Sequence, residues 1–203
     1  MGFLWLILSI LVWGIIHSLF ASLKFKAFAR RLLGPGVDQV YRLSYNLFAI
    51  LSLVPVLALA VLLADKSLYS VPLPWLAIMI TGELLAGLML VVGFLQSHPF
   101  EFLGISQLGS PIKAPGGLTT GGLYHYLRHP LYTAGLALIW LFPRMTVNLL
   151  VVNIALTAYL IIGANLEERK LRKEFGQEYD DYMEVTPMFV PFLKGNKSRR
   201  GTS

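Results

Sequence analysis

Long apolar runs separated by short polar segments dominate this chain of 203 residues. Residues 1–23, 43–64 and 145–166 contain no lysine, arginine, aspartate or glutamate, and residues 67–100 contain only Glu83. A helix needs about 20 apolar residues to cross a hydrocarbon layer roughly 30 Å thick. A soluble helical core would instead show polar positions every few residues. The pattern therefore predicts an integral membrane protein.

The same pattern predicts an all-α integral membrane fold with five transmembrane helices, followed by an amphipathic helix. The spans are expected near residues 2–22, 43–64, 74–97, 130–142 and 146–165. The apolar part of the fourth span covers only residues 131–142, or roughly 18 Å of helix. We therefore expect spans 4 and 5 to form a short hairpin that draws residues 128–132 into the membrane interface.

A charged segment with a regular apolar stripe follows the fifth span. The stripe repeats at spacings of 4, 4 and 3 and comprises Leu171, Phe175, Tyr179 and Tyr182. This period predicts an amphipathic helix over residues 167–182. Glu167 precedes the stripe by one turn, so its carboxylate is expected to point inward, toward the polar stretch between spans 3 and 4. Residues 187–191 are expected to form a short C-terminal strap after this helix.

Basic residues fall mainly on one side of the predicted topology. Fifteen of the 17 lie between spans 1 and 2, between spans 3 and 4, or after span 5, and the other two are Lys66 and Arg144. The positive-inside rule then predicts a multi-pass protein with its N-terminus outside and its C-terminus in the cytoplasm. The formal net charge of +6 is interpreted as this topology signal, and no nucleic-acid partner is expected.

The polar stretch between spans 3 and 4, residues 116–132, concentrates most of the candidate chemistry. It holds four glycines, three tyrosines, two histidines and one arginine. Glycine backbone permits a ligand to approach closely. Pro130 can occupy the first position of a helix, where its missing N–H is not needed. This composition indicates a ligand site at a membrane surface.

Charged and aromatic side chains in and beside this stretch match the parts of a small polar ligand. Arg128 or His129 can pair with a carboxylate, and Glu167 can accept hydrogen bonds from an amine or a ribose. Tyr124 and Tyr132 can stack on a flat base or contact a cation. A lipid head group would match the same side chains, so the residues alone leave both ligands open.

Several reaction classes lack their characteristic residues. The chain has no cysteine, which excludes disulfides, thiolate catalysis and iron–sulfur clusters. There is no nucleophile elbow or Walker loop, and no strand precedes the glycine run, as a dinucleotide fingerprint would require. His125 and His129 have the spacing of metal ligands on a helix, but Pro130 follows at once, so no metal site is expected.

Three segments together resemble the isoprenylcysteine carboxyl methyltransferase superfamily, whose members are integral membrane enzymes that use S-adenosylmethionine. They are Gly-Gly-Leu-Tyr and Leu-Arg-His-Pro-Leu-Tyr within residues 121–132, the Glu-Glu-Arg segment of residues 167–182, and Pro-Met-Phe-Val-Pro at residues 187–191. Residues 17–22 and 103–108 are more similar to the methanethiol S-methyltransferase and NnrU branches. The resemblance implies a five-helix membrane fold whose cytoplasmic C-terminal half buries the cofactor.

The resemblance also implies how the chain is organised and which residues form the cofactor site. It implies one methyltransferase domain over residues 1–203, with a membrane scaffold (1–100), a cofactor-binding half (101–192) and a basic tail (193–203). S-adenosylmethionine would be bound, and S-adenosylhomocysteine released, by Gln107, Gly116, Gly117, Leu118, Thr119, Tyr124, His129, Pro130, Leu131, Tyr132 and Glu167.

Two departures from the resemblance concern the methyl acceptor. Gly163 stands where the prenylcysteine enzymes carry an arginine assigned to the substrate carboxylate, and Val185 replaces a second arginine. A small or lipophilic thiol is therefore the expected acceptor, with a prenylcysteine carboxylate as the alternative. His125 and Arg128 are the candidates for a catalytic role.

Two other functions are open at this point. An NnrU-like haem-binding or redox membrane protein would use His17 and His129 as axial ligands, although His17 could instead bond a neighbouring helix. A lipid-binding membrane scaffold would show no saturable cofactor binding. The partners expected for the methyltransferase are membrane lipids and the methyl acceptor, and the sequence does not indicate an oligomeric state.

Overall fold

A computed structural model of the chain describes residues 2–108 and 117–191. Over these residues the chain is largely helical. The helices are α1 (Gly2–Ala21), α2 (Leu23–Leu33), α3 (Val37–Leu62), α4 (Trp75–Gln96), α5 (Pro99–Leu103), α6 (Leu123–Tyr126), α7 (Pro130–Trp140), α8 (Val147–Phe175) and α9 (Gln177–Val185). Two short antiparallel strands accompany them, β1 (Ser67–Ser70) and β2 (Arg144–Thr146).

Four helices within the described residues are long and apolar enough to cross a membrane. They cover Phe3–Ala21, Val37–Leu62, Trp75–Gln96 and Val147–Phe175. Large apolar side chains on these helices are exposed, and extensive exposed apolar surface is typical of a protein that faces lipid. The predicted all-α integral membrane class is confirmed, and the four long helices match four of the five predicted spans.

The predicted fourth span corresponds to the short helix α7. It contains 11 residues, about 16 Å of helix, so the five-span topology stays a prediction. Pro130 begins the helix, as expected. Helix α7 packs on α4, and two glycines of α4 lie close to leucines at the start of α7 and just after its end. A Cβ on Gly82 would lie 2.8 Å from Leu141 Cδ1, and one on Gly93 would lie 3.2 Å from Leu131 Cδ2.

The amphipathic C-terminal segment is divided differently from the prediction of one helix over residues 167–182. Helix α8 continues without interruption to Phe175, and no glycine or proline lies among residues 164–175 to end it earlier. Gly176 then adopts a φ of +58°, which glycine tolerates best, and α9 begins after it. The predicted apolar stripe is present across this break, since Tyr179 and Tyr182 of α9 are buried.

The described residues form two compact units that alternate along the chain. The first unit takes its residues from Met1–Val71, His98–Pro115 and Pro143–Leu156. In this unit α1 packs beside α3, with Trp13 Nε1 donating to Ser52 Oγ at 3.0 Å. His17 Nε2 lies 2.6 Å from the Tyr45 hydroxyl. The interpretation in which His17 bonds a neighbouring helix is thus confirmed.

The second compact unit contains most of the predicted site residues. It takes its residues from Pro72–Ser97, Gly116–Phe142 and Thr157–Ser203. Helices α4, α6, α7 and α9 belong to this unit, together with the C-terminal part of α8. Both the described part of the polar stretch and Glu167 therefore lie within one compact body.

Candidate functional site

A side-chain contact holds helix α6 against the end of α4. Leu123 N donates a hydrogen bond to Gln96 Oε1 at 2.9 Å. The preceding residue, Gly122, has a φ of +61°, and a Cβ at this position would overlap the Gln96 amide. Glycine is therefore required here by both its backbone conformation and the space available. This contact fixes the polar stretch on α4.

The C-terminal strap, residues 187–191, lies alongside the start of α7. Arg128 N donates to Pro187 O at 2.9 Å, and His129 N donates to Met188 O at 3.2 Å. These bonds give partners to two backbone N–H groups that precede a helix and have none within it. The strap expected from the sequence therefore closes one side of the polar stretch.

Arg128 is a buried anchor between α8, α9 and the strap. Its Nε lies 2.7 Å from Glu168 Oε1, and the two side chains retain only 8% and 9% exposure. Its Nη1 donates to the carbonyls of Met183 at 3.2 Å and Thr186 at 2.5 Å. A buried charge needs such a partner and such hydrogen bonds. The guanidinium of this candidate catalytic residue is therefore engaged in contacts within the protein.

His129 lies between two adjacent carboxylates of α8. Its Nε2 is 3.3 Å from Glu168 Oε1, and its Nδ1 is 3.8 Å from Glu167 Oε2. Its ring stacks on that of Tyr132, with centroids 5.2 Å apart and 8° between the planes. The Tyr132 hydroxyl donates to Glu167 Oε2 at 2.9 Å. The structure thus brings together three of the predicted cofactor residues.

The two glutamates differ in exposure: Glu167 contacts the polar stretch as expected, but its side chain is about half exposed rather than buried. The Glu168 side chain is 9% exposed, whereas the Glu167 side chain is 47% exposed. Arg128 pairs with Glu168 and thereby compensates the burial of that carboxylate. Glu167 contacts Tyr132 and His129, but no lysine or arginine pairs with it among residues 2–108 and 117–191. A ligand can therefore reach the Glu167 carboxylate.

Tyr124 joins this group through α6. The Tyr182 hydroxyl donates to the Tyr124 carbonyl and so connects α9 to α6. Burial raises the pKa of the Tyr124 hydroxyl, and the negative charge of Glu167 raises that pKa further. Burial likewise raises the pKa of the Tyr182 hydroxyl, which keeps it a hydrogen-bond donor.

An open cavity lies between α6 and α9. Its volume is about 430 Å³, and its lining residues are Thr120, His125, Asp181, Tyr182, Val185 and Thr186. It is a surface depression that is largely open to solvent. The predicted catalytic candidate His125 is exposed, and its carbonyl accepts a hydrogen bond from Thr186 Oγ1 at 3.5 Å.

The remaining predicted cofactor residues are less closely grouped. Pro130 is buried at the start of α7, and the Leu131 side chain packs toward α4. Residues 117–119 form an irregular segment before α6. Gln107 belongs to the other compact unit, where its Nε2 donates to a backbone carbonyl at 3.4 Å. Gly116 lies outside the described residues.

Two residues that build the site were missed from the sequence. Glu168 precedes Leu171 by three residues and Glu167 precedes it by four, so both spacings fit the same helical stripe. A basic residue close by in sequence would have indicated that Glu168 is the buried carboxylate. Its actual partner, Arg128, is 40 residues away in sequence. Gln96 gave no comparable signal, because a polar residue commonly ends an apolar span.

The histidines do not form part of a larger group of metal-binding side chains. Within the parts of the chain that the structure describes, no cluster of three or more histidine, aspartate or glutamate residues could hold a metal ion.

Several proteins named methanethiol S-methyltransferase are similar to this chain. The protein from Crocosphaera subtropica is 29% identical over 200 residues, which cover 92% of this chain and 73% of that protein. Methanethiol S-methyltransferase 1 from Bradyrhizobium diazoefficiens is 30% identical over 194 residues, covering 93% of this chain and 66% of that protein. The protein from Pseudomonas deceptionensis is 39% identical over 114 residues, covering 54% of this chain.

The chain spans between 43% and 73% of the length of these three relatives. No solved structure matches the chain. The profile of the family described as NnrU protein matches residues 5–192, which include every described element from α2 to α9 and nearly all of α1. This chain therefore belongs to the NnrU protein family.

Proposed function

We propose that this chain is an integral membrane methyltransferase that transfers a methyl group from S-adenosylmethionine to a small or lipophilic thiol. The observation that carries the proposal is the similarity to relatives named methanethiol S-methyltransferase over 92% and 93% of the chain. Alignments that extend over that share of the chain necessarily reach across the polar stretch and Glu167.

The surroundings of Glu167 fit this cofactor. Its carboxylate is about half exposed, so it can accept hydrogen bonds from a ribose or pair with an ammonium group. Tyr132 holds one carboxylate oxygen at 2.9 Å. The stacked rings of His129 and Tyr132 supply an aromatic surface, which attracts a cation such as a sulfonium.

The proposed cofactor site is centred on Tyr124, His129, Tyr132 and Glu167. Pro130 and Leu131 contribute to it as the first turn of α7. The backbone of residues 116–119 and the side chain of Gln107 are included in the proposed set only because the family resemblance implies them. The buried Arg128–Glu168 pair supports these residues, because Glu168 contacts His129 and the backbone of residues 128 and 129 is bonded to the C-terminal strap.

S-adenosylmethionine, when bound, supplies an electrophilic methyl group and leaves as S-adenosylhomocysteine. The task of the protein is then to align the two reactants and to exclude water. A free thiol has a pKa of about 8.5, so a proton acceptor near the thiol increases the fraction of nucleophilic thiolate. We propose that the exposed His125 imidazole, on the wall of the cavity between α6 and α9, accepts this proton.

The membrane topology is part of the same proposal. Helix α7 would act as the fourth of five spans and would pair with α8, the fifth span, in a short hairpin. The N-terminus would lie outside and the C-terminus in the cytoplasm, since fifteen of the 17 basic residues then lie on the cytoplasmic side. Residues 1–100 would form the membrane scaffold and residues 101–192 the cofactor-binding half of one domain.

The test is methyl transfer by the purified, detergent-solubilised protein. Labelled S-adenosylmethionine is offered with methanethiol, longer alkyl thiols, a prenylcysteine or a phospholipid, and the labelled product is identified. We expect a labelled thioether from the thiols. If the main labelled product is instead the methyl ester of the prenylcysteine, the methyl acceptor is a carboxylate and not a thiol.

Two variants of α8 test whether S-adenosylmethionine binds at the proposed site. Glu167→Gln should weaken S-adenosylmethionine binding at least tenfold, because a charged hydrogen-bonding partner is lost. Glu174→Gln, at an exposed position about two turns further along α8, should bind normally. Equal affinity for the two variants in calorimetry would refute the role of Glu167. A haem absorption band without methyl transfer would favour the haem-protein alternative.

A further inference from the structure

Helix α2 is too short to cross a membrane and is attached to the ends of two helices that are long enough to do so. Its 11 residues cover about 16 Å. It starts two residues after α1 ends, and the Ser22 side chain accepts a hydrogen bond from Phe25 N at 3.1 Å. Gly34, with a φ of +85°, ends it shortly before α3. A helix in this position lies at the membrane surface.

The four cations of α2 fall into two pairs with different partners. Lys26 Nζ and Arg30 Nε each lie 3.2 Å from an oxygen of Asp38, whose side chain is buried. Lys24 and Arg31 are exposed and form no ion pair with the described residues. The first pair therefore fastens α2 to α3, whereas the second pair is available to a ligand.

The two available cations adjoin exposed apolar side chains on the same side of α2. At 3.6 residues per turn, Lys24 and Arg31 are roughly 20° apart around the helix, and Phe28 and Leu32 follow within about 80° of Lys24. Phe28 is 57% exposed and Leu32 is 70% exposed. The protein thus leaves a surface on which two positive charges adjoin two large apolar groups.

We propose that Lys24, Phe28, Arg31 and Leu32 form a binding site for an anionic phospholipid. The two cations bind the phosphate of the head group, and the two apolar side chains enter the boundary between head groups and acyl chains. Long basic side chains reach toward charged head groups from such helices. The site shares no residue with the proposed methyl-transfer site, and the proposal does not depend on that function.

The absence of cysteine from the chain permits a local test with a single label. The full-length Leu32→Cys variant is labelled with bimane, an apolar fluorophore. The labelled protein is placed in bilayers that contain either brominated phosphatidylglycerol or brominated phosphatidylcholine. We expect stronger quenching by phosphatidylglycerol at equal mole fraction. Each cation near an anionic lipid contributes roughly fivefold to binding, so Lys24→Gln with Arg31→Gln should reduce the preference fivefold or more.

The control removes one charge from the same helix at a position that already has a partner. In Lys26→Gln, Arg30 still pairs with Asp38, so the preference for phosphatidylglycerol should stay within about twofold of the starting value. If Lys24→Gln and Lys26→Gln lose the preference for phosphatidylglycerol equally, the preference depends only on net charge and the proposal is overturned. An unchanged preference in the double variant would also overturn it.

A second measurement tests the depth of the helix. Spin labels are attached singly at Leu32→Cys and at Ala27→Cys, which lies on a different side of α2 and is exposed. The label at position 32 should collide more often with oxygen, which is concentrated in lipid, and the label at position 27 with a water-soluble nickel complex. Equal access of the nickel complex to both labels would exclude an interfacial position for the proposed lipid site.

Discussion

Arg128 Nε lies 2.7 Å from Glu168 Oε1, and both side chains are about nine-tenths buried. The same guanidinium binds the Met183 and Thr186 carbonyls, and the same carboxylate approaches His129. One ion pair therefore connects α7, α8 and α9 around the residues assigned to the cofactor. A buried charge that loses its partner finds no other charge or water to compensate it. Loss of either member should therefore affect the geometry of the whole site.

Glu168→Gln should destabilise the protein strongly. Removing one partner leaves the Arg128 charge buried without compensation, which costs about 3–5 kcal/mol. The matched control is Asp180→Asn, because Arg172 and Asp180 form an exposed pair at 2.8 Å, whose loss costs at most about 1 kcal/mol. Thermal unfolding in one detergent should show a much larger fall for Glu168→Gln. Similar falls for both variants would mean that the buried pair is not a specific anchor.

Tyr132→Phe should weaken S-adenosylmethionine binding without large loss of stability. The substitution removes the hydroxyl that holds Glu167 Oε2 at 2.9 Å, and a hydrogen bond to a charged group contributes about 1.5–3 kcal/mol. We expect the dissociation constant measured by calorimetry to rise about tenfold or more. Tyr126→Phe, at an exposed position of α6, is the control and should bind normally. If both variants bind alike, the Tyr132 hydroxyl does not orient Glu167 toward the cofactor.

The long helices could be predicted from the sequence because uncharged apolar runs leave few alternatives to a membrane span. The bounds were less predictable where charged residues continue a helix. Helix α3 begins at Val37 rather than near residue 43, because Asp38 and Arg42 continue the helix beyond the apolar run. Helix α8 continues to Phe175 for the same reason. A charged residue ends an apolar run but does not by itself end a helix.

The site could be predicted only in part, because local spacing and long-range pairing carry different information. Tyr132, His129 and Glu167 were expected to meet, and they do. The choice between Glu167 and Glu168 as the buried carboxylate depends on Arg128, and no local pattern connects residues 40 positions apart. The β1–β2 pairing was also missed, since three- and four-residue strands give almost no periodic signal.

Gly122→Ala should destabilise the junction of α4 and α6. The position has a φ of +61°, and the added methyl group would overlap the Gln96 amide that binds Leu123 N. Backbone strain of this kind costs about 1–3 kcal/mol. Gly121→Ala is the matched control, because a Cβ there meets no atom within 4 Å. A thermal unfolding midpoint that falls equally in both variants would contradict the proposed contact.

Stability should fall as the pH rises above about 10, and Tyr182 should contribute to that fall. Unfolded tyrosine has a pKa of about 10, whereas burial raises the pKa of Tyr182 in the folded protein. Above pH 10 the unfolded chain therefore loses the proton first, and deprotonation favours unfolding. Folding also requires that proton, because the Tyr182 hydroxyl donates to the Tyr124 carbonyl.

Thermal unfolding midpoints between pH 8 and pH 11 measure this dependence. Tyr182→Phe has no ionisable hydroxyl, so its midpoint should be lower at pH 8, where the hydrogen bond is lost, but should fall less steeply above pH 10. Tyr126→Phe removes an exposed hydroxyl and should keep the starting slope. If Tyr182→Phe follows the same slope as the unmodified protein, the buried hydroxyl does not control stability in alkali. The connection between α9 and α6 would then depend on packing rather than on the proton of Tyr182.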